Sequence, residues 1–196
     1  MSAARKYLTR LVDPLIDELL SGLPAVMLVG PRAAGKTTTA GRVGASIIRL
    51  DLPAAAGAVR ADPDGALGAY DEPVVIDEWQ LVPEVLGAVK RSIDSQPTPA
   101  RFVLTGSTGA DLTAAGWPAT GRVVRVPLWG LTERELIGDS NATPFITRLL
   151  HFGRDGVVLP REIPDLRGYV ERALRGGYPE VALQSNDWLP QEPHLV

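Results

Sequence analysis

Two apolar patterns alternate along the chain. Short runs of apolar residues, bounded by glycine, proline or polar residues, predict buried strands at Ala25–Val29, Ile47–Asp51, Pro73–Glu78, Arg101–Ser107 and Arg122–Pro127. Between them, apolar positions recur every three or four residues. Leu8, Leu11, Val12, Leu15, Ile16, Leu19 and Leu20 form one such stripe, with Asp13, Asp17 and Glu18 on another face, closed by Ser21-Gly22. Thr37–Val43 follows the first strand as a helix without an interrupting proline. Pro83–Asp94 predicts a helix with Val85, Leu86, Val89 and Ile93 inward, broken by Pro97 and Pro99. Leu131–Ile137 carries Thr132 as N-cap and Glu135 as its capping-box partner. Asn141–Phe152 and Asp165–Arg175 complete the helices, the last stopped by Gly176-Gly177. Residues 53–72, rich in Ala, Gly, Asp and Pro, predict a short helix near Leu67 within a mobile connection. Gly109–Thr120 reads as a connection, and Ser185–Val196 as a polar tail that frays.

The junction between the first strand and its helix carries candidate chemistry. Gly30-Pro31-Arg32-Ala33-Ala34-Gly35-Lys36-Thr37-Thr38 fits the phosphate-loop pattern G-x-x-x-x-G-K-S/T, and it lies where strand passes into helix. A strand that ends in glycines and enters a helix leaves backbone N–H groups free for phosphate oxygens. Lys36 would reach the β- and γ-phosphates, and the Thr37 hydroxyl would ligate magnesium. Arg32 is open to a phosphate contact, solvent or a neighbouring subunit.

The run Val74-Val75-Ile76 ends in Asp77 and Glu78, two carboxylates at the carboxyl end of a buried strand. Ligands bind at that end of open α/β sheets. Downstream of a phosphate loop, the arrangement is that of a Walker B segment: Asp77 would hold magnesium through water, and Glu78 would polarise the attacking water as general base. An adjacent Glu favours the ATPase division with an extra strand between the loop strand and the Walker B strand. The strand ending Thr105-Gly106-Ser107 would fill that place, with Thr105 or Ser107 near the γ-phosphate; a plain polar turn is the alternative. Trp79 is open to stacking on adenine or to packing under the adjoining helix.

Composition narrows the rest. Of 196 residues, 45% are hydrophobic and 22% charged, with a net charge of -3, so a core is affordable and no nucleic-acid surface is indicated. The absence of cysteine excludes disulfides and thiol catalysis, and His151 and His194 are too few for a zinc site. Asp62, Asp64, Asp71 and Glu72 read as a solvated loop rather than a metal cluster. No run of 18 apolar residues exists, so no membrane span is expected and a cytoplasmic location is the default. Only three lysines occur against 17 arginines, yet one of the three falls where the loop chemistry needs it. Trp117, Trp129 and Trp188 read as core or interface residues. Arg167, Arg172 and Arg175 read as a solvated helix face.

These residues resemble the bacterial and archaeal AAA-type ATPases of the AAA_14 group. The likeness runs through the phosphate loop, Leu50-Asp51, Val75-Ile76-Asp77-Glu78 with Gln80 and Pro83, Leu104-Thr105-Gly106-Ser107, Gly121-Arg122-Val123, Pro127-Leu128 and Gly176-Gly177-Tyr178-Pro179-Glu180. It spans roughly residues 8–183. The resemblance implies an ATP-binding core with both Walker segments. It also implies an arginine supplied by a neighbouring subunit, for which Arg122 is the candidate, a structural salt bridge being the alternative. Members usually continue into a second domain, which is largely absent from this sequence.

The expected architecture is a three-layer α/β P-loop NTPase with a mostly parallel five-stranded sheet, order 5-1-4-3-2, and helices on both faces. Residues 1–137 would form the core with its N-terminal amphipathic helix, and 138–196 a small helical appendage and polar tail. Three functions fit: Mg-dependent ATP hydrolysis as a conformational switch, a nucleotide-binding regulatory module with little turnover, and a small-molecule P-loop kinase. The expected partners are ATP and a protein partner or second copy.

Overall fold

The computed structural model describes residues 7–107, 121–138, 143–157 and 164–184. The chain divides into two compact units, one over Val12–Trp129 and one joining the residues before Val12 to those from Gly130 onward.

The first unit is a parallel sheet between two helical layers. Its strands are β1 (Ala25–Gly30), β2 (Ser46–Arg49), β3 (Val74–Asp77), β4 (Phe102–Ser107) and β5 (Val123–Pro127). Their order across the sheet is β2-β3-β4-β1-β5, and every pairing is parallel. This is the expected order, with β4 inserted between β1 and β3. The three central strands are buried on both faces, which is why they read as continuous apolar runs rather than alternating ones.

The two-residue side-chain period sorts each strand between two cores. Ala25, Met27, Val74, Ile76, Phe102 and Leu104 pack on one face, with α3 (Pro53–Ala61), α4 (Pro63–Gly68) and α5 (Val85–Ser95). Val26, Leu28, Val75 and Val103 pack on the other, with Ile16 and Leu20 of α1 (Asp13–Gly22) and Ala40 of α2 (Lys36–Gly41). Each fully buried aliphatic side chain contributes about 1.5–3 kcal/mol, so the two layers hold the sheet rigidly beneath its carboxyl ends.

Three local outcomes differ from the sequence expectation. The first helix begins at Asp13, not Leu8, with Pro14 in its first turn. Proline is tolerated there, but in a helix begun at Leu8 its ring would meet the Arg10 carbonyl. Residues 53–72 hold two helices rather than one in a mobile connection. Pro53 and Pro63 each open a helix, and the Asp62 carboxylate caps the second by accepting from Gly65 N–H at 3.0 Å. Two other acidic residues of that stretch also have partners: Asp64 pairs with Arg91 and Glu72 with Arg101. Trp129 is 65% exposed and outside the core, whereas Trp117 and Trp188 lie outside the described residues.

The second unit contains α6 (Glu133–Leu136), α7 (Phe145–Phe152), α8 (Leu166–Arg175) and α9 (Pro179–Ala182). The capping box of Thr132 and Glu135 forms with both reciprocal bonds. Glu135 does more than cap. Its buried carboxylate also accepts from Arg10 Nε at 2.9 Å and Leu11 N–H at 2.7 Å. The Gly176-Gly177 stop expected after α8 also serves packing. A Cβ on Gly177 would lie 2.4 Å from the Leu131 carbonyl oxygen, so the two backbones can cross only at glycine.

Burial works to raise the Glu135 pKa, but bonds from the Thr132 and Leu11 N–H groups and from Arg10 outweigh it and hold the carboxyl below its ordinary 4.5. The folded state therefore keeps the proton off where the unfolded chain would bind it. That stability is present above pH 4.5 and is lost as pH falls through the lower folded value. Glu135→Gln should destabilise this unit by about 3–5 kcal/mol at neutral pH, because it breaks the buried Arg10–Glu135 ion pair from one side. Thermal melts from about pH 3 to pH 7 would show a flatter acid limb in the variant. An unchanged limb would mean that the pair does not anchor the unit.

Candidate nucleotide site

The site gathers at the carboxyl ends of β1, β3 and β4. Register places Gly30 of β1 beside Ser107 of β4, and Leu28 beside Thr105. The loop leaving β1 turns through two left-handed residues, Ala33 (φ 59°) and Gly35 (φ 91°), before α2 begins at Lys36. A left-handed alanine is strained by about 1 kcal/mol relative to glycine, and such strain gathers at functional loops.

Gly30 is fixed by packing. A Cβ there would fall 1.9 Å from the carbonyl oxygen of Leu128, which receives the chain leaving β5. Gly30→Ala should therefore displace the loop and destabilise the sheet unit by about 3 kcal/mol or more. Thermal melting tests this, and a wild-type midpoint would rule out the close approach.

Lys36 is buried, 5% exposed, and its ammonium bends back over the loop. It donates to the Gly30 carbonyl at 3.1 Å and the Pro31 carbonyl at 2.8 Å. Burial pushes its pKa below the ordinary 10.5, the negative charges of Glu78 and Asp77 act in the other direction, and Arg32 adds to the lowering. These influences place Lys36, Asp77 and Glu78 in one electrostatic neighbourhood. Pro31 is half-buried, Arg32 and Ala33 are exposed, and Ala34 is fully buried. Thr37 and Thr38 face solvent, and α2 is secured by Thr39 N–H donating to the Gly35 carbonyl at 2.9 Å.

A line of hydroxyls ties the loop to β3. Thr37 Oγ1 donates to Asp77 Oδ1 at 2.8 Å, and Thr105 Oγ1 donates to the same oxygen at 2.5 Å. Thr105 Oγ1 in turn accepts the Glu78 N–H at 3.1 Å. Thr105 is fully buried, so its hydroxyl is engaged with the acidic pair. Ser107, one pleat further on at the strand end, is half-buried beside Gly30. Glu78 itself is left-handed, φ 57°, which turns the chain sharply out of β3.

Sequence reasoning missed this bend, and nothing in a Val-Ile-Asp-Glu run signals it. It named Gln80 only as part of the family likeness and gave it no role, whereas its side-chain Nε2 donates to Glu78 Oε2. Trp79 is buried, 4% exposed, within the apolar core, so packing under the adjoining helix is the alternative that holds.

Arg122 is not brought to these residues. It precedes β5, whose first residue pairs with Ala25 at the start of β1, so it stands at the opposite end of the sheet from the loop. There its guanidinium grips both carboxylate oxygens of Asp94, at 2.5 and 3.1 Å. Arg167, Arg172 and Arg175 likewise have acidic partners, Glu171 for the first and Glu133 for the other two.

The donor set suits the groups that such a loop implies. Thr37 and Asp77 offer hard oxygen ligands already within 2.8 Å of each other, the chemistry magnesium selects. A buried lysine beside a loop with two left-handed turns suits phosphate oxygens.

All-parallel order β2-β3-β4-β1-β5, with this loop after β1 and an acidic pair after β3, defines an α/β P-loop NTPase fold. The model of the AAA_14 family, described as an AAA domain, matches residues 23–137, more than half of the sequence, and the chain belongs to that family. Membership implies a nucleotide-binding, ATPase-like domain. Two uncharacterized proteins, one from Mycobacterium bovis and one from Mycobacterium tuberculosis, are each 40% identical to the chain over 123 residues. The match covers 61% of this chain and 28% of either relative, so the chain spans less than a third of the length of the curated relatives it matches. Among the described residues, no helix is long and apolar enough to cross a membrane.

Proposed function

We propose that the chain is a Mg-dependent ATPase that uses hydrolysis as a conformational switch. The observation that carries this reading is the Thr37–Asp77–Thr105–Glu78 line of hydrogen bonds, which joins the phosphate loop to a carboxylate suited to activate water. Thr37 and Asp77 would hold the magnesium ion, which when bound offsets charge on the phosphate oxygens.

Lys36 exchanges its bonds to the Gly30 and Pro31 carbonyls for phosphate oxygens. The loop from Arg32 to Thr38 would wrap the phosphates with backbone N–H groups. Glu78 takes the proton from water as the water oxygen attacks the terminal phosphorus and the bond to the departing ADP oxygen breaks. Ser107 lies at the strand end where a hydroxyl can meet the terminal phosphate, while Thr105 serves from beneath by holding Asp77 and Glu78. Arg122 acts structurally through Asp94. The division we propose is a core over residues 1–137 and an appendage over residues 138–196, and a protein partner or second copy would receive the switch.

Phosphate release from ATP by the purified chain, with and without magnesium, tests the reading. Magnesium-dependent release of ADP and phosphate in equal amounts is expected. ATP binding without release would favour a regulatory module, and transfer of the terminal phosphate to a small metabolite would favour a kinase.

A further inference from the structure

The acidic pair is followed by a turn whose geometry is as specific as the pair itself. Glu78 is left-handed, and Trp79–Leu81 form one turn of 3-10 helix closed by Leu81 N–H on the Glu78 carbonyl at 3.0 Å. A 3-10 turn following a left-handed residue brings residue i+2 back over residue i. That places the Gln80 amide on the Glu78 carboxylate, with Nε2 donating to Oε2.

The turn is wedged in place. The Trp79 indole packs so tightly on β4 that a Cβ at Gly106 would lie 2.4 Å from its Nε1. The same Cβ would lie 3.2 Å from Gln80 Oε1, so the strand end also limits the amide. Gln80 Oε1 is buried and has no hydrogen-bond partner among the described residues. Turning the amide over would set that oxygen against the Glu78 carboxylate, lone pair against lone pair. The amide therefore has one workable orientation, with its donor towards Glu78.

We propose that Gln80 is a positioning residue for Glu78: by occupying Oε2 it fixes the carboxylate rotamer and leaves Oε1 to take the proton from water. Two restraints act on Glu78. Thr105 holds its backbone N–H, and Gln80 holds its side chain. Lys36 and Asp77 share its electrostatic neighbourhood, but each is engaged elsewhere. Lys36 donates to the loop carbonyls, and Asp77 is an acceptor already held by two hydroxyls. A carboxylate free to rotate would present the wrong oxygen, or none, to water. Misplacement of about 1 Å costs about 100-fold in rate.

This inference rests on the reading of Glu78 as general base, and the test separates the two. Wild-type chain, Glu78→Gln, Gln80→Leu and Gln80→Glu are compared for kcat, KM for Mg-ATP, the pH–rate profile and melting temperature. Gln80→Leu should lower kcat about 10- to 100-fold with KM and melting temperature near wild type. Gln80→Glu, of the same size, has no donor to offer Oε2 and repels the carboxylate, so it should lower kcat by a similar factor with KM near wild type. Should the leucine variant fail to fold, the glutamate variant carries the test through its split between kcat and KM. If Glu78→Gln abolishes turnover while both Gln80 variants keep the wild-type kcat and profile, Gln80 is merely part of the turn and the proposal is overturned. If Glu78→Gln keeps the wild-type turnover, or the wild type has none, the base assignment fails and the Gln80 proposal is overturned with it.

Discussion

Replacing Lys36 with methionine is expected to weaken ATP binding by at least about 100-fold, which corresponds to about 2.8 kcal/mol, while leaving the fold intact. The two halves of this expectation come from different parts of the side chain. The aliphatic stem is buried and a methionine can occupy the same space, so packing survives. The ammonium is the only part lost. Its bonds to the Gly30 and Pro31 carbonyls offset part of the desolvation it suffers, and their net worth is about 1 kcal/mol. Towards a triphosphate the same ammonium faces full negative charges, where a charge-assisted bond is worth more than one to a neutral carbonyl.

The pH dependence supplies a second sign to check. Folding lowers the Lys36 pKa, so the unfolded chain keeps the proton to higher pH than the folded one. The resulting penalty is present at neutral pH and is relieved as pH rises towards 10.5. Wild-type stability should therefore rise with pH in the alkaline range more than that of Lys36→Met. Titration calorimetry and alkaline melts read both effects. Unchanged ATP affinity in the variant would remove the loop from the account.

The second large effect is expected at Glu78. Glu78→Gln keeps shape and hydrogen-bonding size but removes the proton acceptor, so turnover should fall by about 10²- to 10⁴-fold with ATP still bound. The left-handed backbone at Glu78 is unaffected, because its N–H still reaches Thr105 Oγ1. A variant that binds ATP and releases phosphate at the wild-type rate would mean that the water is activated elsewhere.

What the sequence made legible follows a physical rule. Features written in local pattern emerged correctly. The five strands and their order followed from apolar runs and the spacing of two motifs, and the Thr132–Glu135 capping box from residues three apart. Features made by long-range partners did not. Arg122 reads as open between a neighbour's site and a salt bridge, and the pair it makes with Asp94, 28 positions away, lies beyond any local pattern. Glu135 reads as a cap, but its bonds to Arg10 and Leu11 join segments about 125 positions apart.

Proline accounts for the local differences: Pro14 sets the start of α1, and Pro53 and Pro63 each start a helix. Within the site, Gly30, Lys36, Thr37, Asp77, Glu78, Thr105 and Ser107 stand at the carboxyl ends of neighbouring strands, as motif spacing suggested. The hydroxyl of Thr105 turning to Asp77 joins neighbouring strands 28 positions apart, and the amide of Gln80 turning to Glu78 follows a left-handed residue that no local propensity announces.

Hydrolysis in ¹⁸O-labelled water, followed by mass analysis of the released phosphate, tests the central claim most directly. The account predicts phosphate carrying one oxygen from solvent, formed only with magnesium and lost in Glu78→Gln. Phosphate appearing on a metabolite, or ATP bound and never cleaved under these conditions, would contradict it.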